Sequence, residues 1–185
     1  MGKRKPAEVK VLGLLRHAKS DWYDMALRDF DRGLNERGRR GAAAIGAHAA
    51  ELGLAWDRII ASPAERVRAT IAASGLGLSP EFDERLYLAD AATLMAVLRQ
   101  LGREEGRILV VGHNPGLQEL VFRLVAPEED TALLAAAGEK FPTAALAVLE
   151  LEIENWCDIS AGCGTLTHFA RPRDLDPALG PERRG

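Results

Sequence analysis

The strongest constraint on the fold is a device that the chain uses three times: a short, nearly continuous apolar run that breaks off into polar residues. The runs are Val9-Lys10-Val11-Leu12-Gly13-Leu14-Leu15, Arg58-Ile59-Ile60-Ala61 and Arg107-Ile108-Leu109-Val110-Val111. Strict alternation of apolar and polar residues would mark strands with one wet face. Unbroken runs of this length mark strands buried on both faces, as in a parallel sheet covered by helices. The breaks fall at Arg16-His17, at Ser62-Pro63-Ala64-Glu65-Arg66 and at Gly112-His113-Asn114-Pro115.

Helical periodicity separates the runs. From Gly38 onward Ala42, Ile45, Ala49 and Leu52 fall on one helical face, and Leu94, Val97, Leu98 and Leu101 mark another amphipathic helix. Ser62-Pro63-Ala64-Glu65 has the pattern of a capping box with Pro at the first helical position, which predicts a helix whose Val67 and Ile71 face the sheet. Asn114 is the predicted N-cap of a further helix, with Pro115 at its first position and Leu117, Leu120, Val121 and Leu124 on its buried stripe. Residues 20 to 37 read as polar loop, and residues 79 to 90 as a short extended piece and a loop. Between residues 144 and 154, Leu149, Leu151 and Ile153 alternate with Glu150, Glu152 and Glu154. This predicts a half-exposed edge strand, with residues 163 to 170 as its antiparallel neighbour. The fold class that accommodates these elements is α/β, a three-layer α/β/α arrangement around a mostly parallel central sheet. Residues 1–170 are expected to form a single domain and 171–185, rich in Pro and Arg, a flexible tail.

Of the 185 residues, 47% are hydrophobic, enough for a sizeable core without staples, and the net charge of −3 with interspersed signs predicts no nucleic-acid or membrane-surface partner. Cys157 and Cys163 form no CxxC pair and no disulfide framework, which suits a reducing, cytoplasmic setting. The basic start Met1-Gly2-Lys3-Arg4-Lys5-Pro6 is followed by too short an apolar stretch for a secretory signal, and Pro6 stands where a myristoylation motif needs Ser or Thr. No stretch approaches the roughly 20 apolar residues of a membrane span.

In open α/β sheets ligands bind at the carboxyl ends of the strands, so the three polar breaks converge. A neutral imidazole is a competent phosphoryl acceptor near neutral pH, which suits His17. The charge of a transferring phosphoryl group spreads over three oxygens, and a planar, permanently charged guanidinium can bind two of them. Arg16 and Arg66 suit that task, Arg66 also lying in the first turn of a helix. His113 would donate a hydrogen bond or add a cation. His48 and His168 read as structural, Ser62 and Glu65 as capping residues, Arg68 as a surface charge, and Lys19, Ser20 and Asp21 as loop-ordering residues. No carboxylate or Cys set accompanies His17 and His113 at ligand spacing, so neither a metal nor another cofactor is expected.

Leu14-Leu15-Arg16-His17-Ala18 resembles the Arg-His-Gly signature of the histidine phosphatase, or phosphoglycerate mutase-like, superfamily, with Ala18 in place of Gly. Ser62-Pro63-Ala64-Glu65-Arg66-Val67-Arg68-Ala69-Thr70 is similar to its Ser-Pro-x-x-Arg-x-x-x-Thr motif, and Val111-Gly112-His113-Asn114-Pro115 to its third. All three stand in the family's order across residues 9 to about 170. Arg16-His17-Ala18-Lys19-Ser20-Asp21-Trp22, Asp31-Arg32-Gly33-Leu34-Asn35-Glu36-Arg37-Gly38 and Gly112-His113-Asn114-Pro115 further resemble the SixA-type phosphohistidine phosphatases. The resemblance implies that His17 is transiently phosphorylated while Arg16, Arg66 and His113 hold the phosphoryl group. It adds Arg32 as a residue that either reaches the phosphate or fixes its loop, and Asn114 as a further substrate-binding candidate.

Larger relatives in this superfamily carry a general-acid carboxylate after the second motif. Here Glu84, Asp83 and Asp90 occupy that region without a clear match. An alkoxide leaving group needs a proton from a positioned acid, worth about 10² to 10⁴-fold, whereas imidazole is easier to expel. The expected function is therefore a metal-independent phosphohistidine (phosphoprotein) phosphatase. The alternatives are a small-molecule phosphomonoesterase for a sugar or nucleotide phosphate and, less favoured, a non-catalytic phosphate-binding module. The expected partner is a phosphorylated protein or a small phosphorylated metabolite.

Overall fold

The computed structural model describes residues 9–101, 105–129 and 131–180. The basic start and residues 181–185, both discussed above from sequence, lie outside them. In chain order the main elements are β1 (Lys10–Arg16), α1 (Glu36–Glu51), β2 (Arg58–Ala61), α2 (Glu65–Ser74), β3 (Glu81–Phe82), α3 (Ala91–Leu98), β4 (Arg107–Gly112), α4 (Gly116–Leu124), α5 (Ala132–Glu139), β5 (Leu146–Leu151), β6 (Gly164–Ala170) and α6 (Pro172–Leu175). The strands form one sheet in the order β3-β2-β4-β1-β5-β6. The contacts β3 to β2, β2 to β4 and β4 to β1 are parallel, and those of β1 with β5 and of β5 with β6 are antiparallel.

The apolar runs bury both their faces, alternate residues entering different cores. Leu12, Leu14, Ile60, Ile108 and Val110 pack with Leu94, Leu98, Leu117, Leu120 and Val121 from α3 and α4. Leu15, Ile59, Ala61, Leu109 and Val111 pack with Ala42, Ile45, Ala49, Val67 and Ile71 from α1 and α2. Each fully buried branched side chain contributes about 1.5 to 3 kcal/mol, so the two layers together hold the sheet. α1 and α2 meet backbone to backbone at Gly46, where a Cβ would collide with the Ser74 carbonyl. Gly116, at the start of α4, is under the same constraint from the carbonyl of Ala89.

Register sets the three polar breaks on one level. Leu15 pairs with Val111 and Arg16 with Gly112 across β1 and β4, and Ala61 pairs with Val111 across β2 and β4. Arg16-His17, Ser62 and Gly112-His113 therefore leave the sheet side by side.

Several expectations are corrected. β5 is an internal strand between β1 and β6, not an edge; its alternation marks only Glu150 as wet, and Glu152 and Glu154 lie beyond its end. α2 begins at Glu65 with Ala64 at the N-cap and no capping side chain, and α4 begins at Gly116 with Pro115 at the N-cap. α5 has no counterpart in the predicted elements; half of its residues are Ala, and only Ala137 is buried. The predicted tail is structured as far as residue 180. α6 and a 3-10 turn at Pro177–Leu179 bury Pro172 and Leu179, and Arg37 of α1 donates to the carbonyls of Leu179 and Gly180.

Candidate active site

His17 follows β1 directly, and its backbone N–H continues the ladder by donating to Gly112 O at 3.0 Å. Its ring Nδ1 lies 2.8 Å from the carbonyl of Ala18. A carbonyl only accepts, so Nδ1 carries the proton and the lone pair sits on Nε2. Burial, together with the nearby Arg66 and Arg16 and against the opposing pull of the Ala18 carbonyl and Asp29, pushes the pKa of His17 down to about 4. The ring is therefore neutral at physiological pH and has a free, nucleophilic Nε2. Thr70 fixes the peptide that orients it: its buried Oγ1 accepts from Ala18 N at 2.9 Å and donates to Arg66 O at 2.6 Å.

His113 follows β4 and lies with its ring centroid 5.2 Å from that of His17. Its Nδ1 accepts from Arg66 Nη2 at 3.3 Å, which leaves Nε2–H to donate to Ser62 Oγ at 2.8 Å. Burial, then the proximity of His17 and Arg66, pushes its pKa down to about 3. Ser62 is fully buried and its hydroxyl also accepts, at 3.4 Å, from Ala64 N. It is thus a positioning group for His113 rather than the cap of α2.

Arg66 reaches into the cluster from the first turn of α2. It donates to the backbone carbonyl of Asp29 at 2.6 Å and to the Asp29 carboxylate at 2.9 Å. Tyr87 donates its hydroxyl to the same carboxylate oxygen at 2.7 Å and sets its ring edge-on to His113. Partial burial opposes the charge of Asp29, but the hydrogen bonds from Tyr87 and Arg66 outweigh it and hold the carboxyl below its ordinary range. Arg16 donates from Nη1 to Phe141 O at 2.8 Å, and its buried Nε has no hydrogen-bond partner. Asn114 donates to the same carbonyl at 3.1 Å, while its buried Oδ1 has none.

The structure thus brings Arg16, His17, Arg66 and His113 together, with Asn114 at the margin. Arg32 is buried but points its two terminal nitrogens at the carbonyls of Asp24 and Leu27, both at 2.8 Å, and stacks on Trp22. It fixes the loop. Asp83 caps the turn Glu84–Leu86 and pairs with Arg85 at 2.6 Å, and Asp90 caps α3 through Thr93 N. Glu84 is exposed, and its link to the cluster is only its backbone carbonyl, which accepts from Tyr87 N at 3.1 Å; its carboxylate makes no hydrogen bond or ion pair there. Asp29, Tyr87, Ser62 and Thr70 are the members that sequence reasoning did not place here. Thr70 was already in the second motif, and the Ser62 hydroxyl stood one strand away from His113. Asp29 and Tyr87 left no local signal.

Among the described residues, no group of three or more His, Cys, Asp or Glu is arranged to hold a metal ion, and no helix is long and apolar enough to cross a membrane. His48 and His168 face one another with Nε2 atoms 3.0 Å apart, between α1 and β6 and apart from the cluster.

Two adjacent strand ends that each deliver a neutral histidine, flanked by two guanidiniums, make an arrangement chemically suited to holding an oxyanion beside a nucleophilic nitrogen. The model of the histidine phosphatase superfamily (branch 1) matches residues 12–92. The uncharacterized protein Rv1276c of Mycobacterium tuberculosis is 36% identical over 160 residues, covering 86% of this chain and 100% of its own. The chain belongs to the histidine phosphatase superfamily. Its structure is similar to that of an Agrobacterium tumefaciens protein assigned as phosphohistidine phosphatase SixA, with 32% identity, a TM-score of 0.74 and coverage of 88% and 98% of the two chains. A second protein so assigned, from Nakamurella multipartitia, gives a TM-score of 0.80 at 27% identity over 91% and 99% of the chains. The protein histidine phosphatase SixA complexed with tungstate gives a TM-score of 0.72 at 26% identity over 89% and 99% of the chains. This histidine phosphatase is accordingly of the SixA type, with the phosphoglycerate mutase-like fold.

Proposed function

We propose that this histidine phosphatase hydrolyses phosphohistidine in a phosphoprotein, through a covalent phosphohistidine on His17. The observation that carries the reading is the state of the cluster: His17 is neutral with Nε2 free, whereas Asp29, the carboxylate bonded into the cluster, is held ionised by Arg66 and Tyr87. The nucleophile is ready and the carboxylate is a poor proton donor. That combination favours a leaving group that departs with little acid assistance, which imidazole does and an alkoxide does not. The SixA-type likeness supports the same substrate class.

In the first step the Nε2–P bond forms as the P–N bond of the substrate phosphohistidine breaks, the departing imidazole taking its proton from solvent. Arg16 and Arg66 neutralise the equatorial oxygens, and the neutral His113 adds a hydrogen bond from Nε2–H when it turns from Ser62 Oγ to the phosphoryl group. In the second step water attacks phosphorus, the Nε2–P bond breaks, and inorganic phosphate leaves. The guanidiniums supply the positive charge that other phosphatases take from a divalent ion, which supports metal independence. The two free thiols, Cys157 and Cys163, suit a reducing compartment such as the cytoplasm.

The test compares kcat/KM, with a chelator present, on a phosphohistidine peptide, the matching phosphoserine peptide, and a panel of sugar and nucleotide monophosphates. Phosphohistidine is expected to lead by about 100-fold or more, the worth of a missing general acid, and His17→Ala to abolish turnover. Equal rates on sugar phosphates would transfer the reading to a small-molecule phosphomonoesterase.

A further inference from the structure

Beside the His17 cluster lies a cavity of about 350 Å³ whose lining includes Arg16, Lys19, Arg37, Lys140 and Arg173 and, among the described residues, no carboxylate. In a chain of net charge −3, such a concentration of one sign is a local construction. Neighbouring carboxylates are engaged by cations outside the cavity: Glu36 by Arg39 at 3.3 Å, Glu139 by Arg171 at 3.6 Å, Asp174 by Arg171 at 2.8 Å and Asp176 by Arg40 at 3.2 Å. Arg16 belongs to both places: it adds to the potential at His17 and lines this cavity, and its buried Nε lacks a hydrogen-bond partner. The cavity therefore has the positive charge to hold an anion, with Arg16 in its wall.

We propose that this cavity is a second anion subsite, seating a carboxylate or phosphate carried by the same substrate whose phosphoryl group is transferred at His17. The inference rests on phosphoryl transfer at His17 but not on the identity of the leaving group. Four stretches of chain converge on it: the exit of β1, the start of α1, the segment 140–144, and the C-terminal turn through Leu179. Lys19 and Lys140 are exposed and steer an anion inward, whereas Arg16 meets it at the buried end. The anionic group has two natural sources, acidic side chains flanking a phosphorylated residue, or a second phosphate on a small metabolite.

The experiment measures kcat/KM for wild type, Lys19→Gln/Lys140→Gln and Arg173→Gln, with p-nitrophenyl phosphate as the single-anion reference. One arm pairs a phosphohistidine peptide flanked by Glu with the same peptide flanked by Gln. The other pairs a sugar bisphosphate with its monophosphate. The subsite predicts that wild type prefers the two-anion member in at least one arm. That preference should fall about fivefold in the variants, through KM, and fade with added salt, as expected of partly screened ion contacts. The arm that responds identifies the source. The subsite is overturned if neither arm shows a preference, if the preference survives in both variants, or if the variants slow all substrates, including p-nitrophenyl phosphate, by the same factor. The phosphohistidine reading fails separately, if wild type turns over neither peptide while the bisphosphate preference holds.

Discussion

Acid should unfold this protein through the two histidines of its active site. Burial drives His17 from an ordinary value near 6.5 to about 4 and His113 to about 3. An unfolded chain regains the ordinary values. Below pH 6.5 the unfolded state therefore binds protons that the folded state refuses, and stability falls as pH falls through the window from about 6.5 to between 4 and 3. Each unit of displacement corresponds to about 1.4 kcal/mol. His17 alone is worth about 3 kcal/mol, and the pair on the order of 5 kcal/mol, since part of the His113 displacement comes from His17 and is not additive. That is a large share of the roughly 5 to 15 kcal/mol that holds a domain of this size together. The assay is urea unfolding at a series of pH values from 7.5 to 4.5, followed by the fluorescence of buried Trp56 and Trp156. Wild type should lose stability steeply across this range, and His17→Gln/His113→Gln should show a markedly flatter slope. An identical slope in the double variant would refute the argument, whatever its absolute stability.

Thr70→Val keeps the shape of the side chain but strands the buried Ala18 N–H, and is expected to cost about 1 to 3 kcal/mol and to lower kcat by loosening the His17 peptide; Thr70→Ser keeps the hydroxyl and should retain kcat. Thermal melting and turnover, measured on both variants, check this. Asp29→Asn removes the charge that competes for Arg66, so inorganic phosphate should inhibit the variant about fivefold more tightly, the worth of a half-exposed ion pair. A weaker inhibition constant would show that Asp29 is needed to shape the site. Gly46→Ala forces a methyl group against the Ser74 carbonyl and should destabilise the fold by about 1 to 3 kcal/mol, read as a lowered urea midpoint.

What was legible in the sequence was what short range dictates. Unbroken apolar runs identified the buried strands because each residue there must face one of two cores, and the polar breaks marked the sheet edge because the strand ends are in register. What failed depended on partners far along the chain. Ser62 has the sequence signature of a cap, yet a histidine 51 residues away takes its hydroxyl, and a tertiary hydrogen bond displaces the local one. Asp29 and Tyr87 meet Arg66 and His113 only because a loop and a 3-10 turn fold over the sheet edge. The alternation at Glu150 correctly reported a wet face, and residues 163 to 170 do pair with the strand as β6, but the β1 neighbour that makes β5 internal was missed, since pairing leaves no mark on side-chain polarity. The C-terminal segment was read from its Pro and Arg content, whereas its place is fixed by two buried residues, Pro172 and Leu179.

The flush ends of β1 and β4 act as a ruler. Neighbouring strands lie about 4.8 Å apart in any sheet, and the two histidine rings that continue these strands stand 5.2 Å apart. The strands thus set the spacing from which the two histidines project, and Thr70 and Ser62 hold His17 and His113 in place on that frame. The loops around the site can therefore vary while the two strand ends that carry the histidines keep their register.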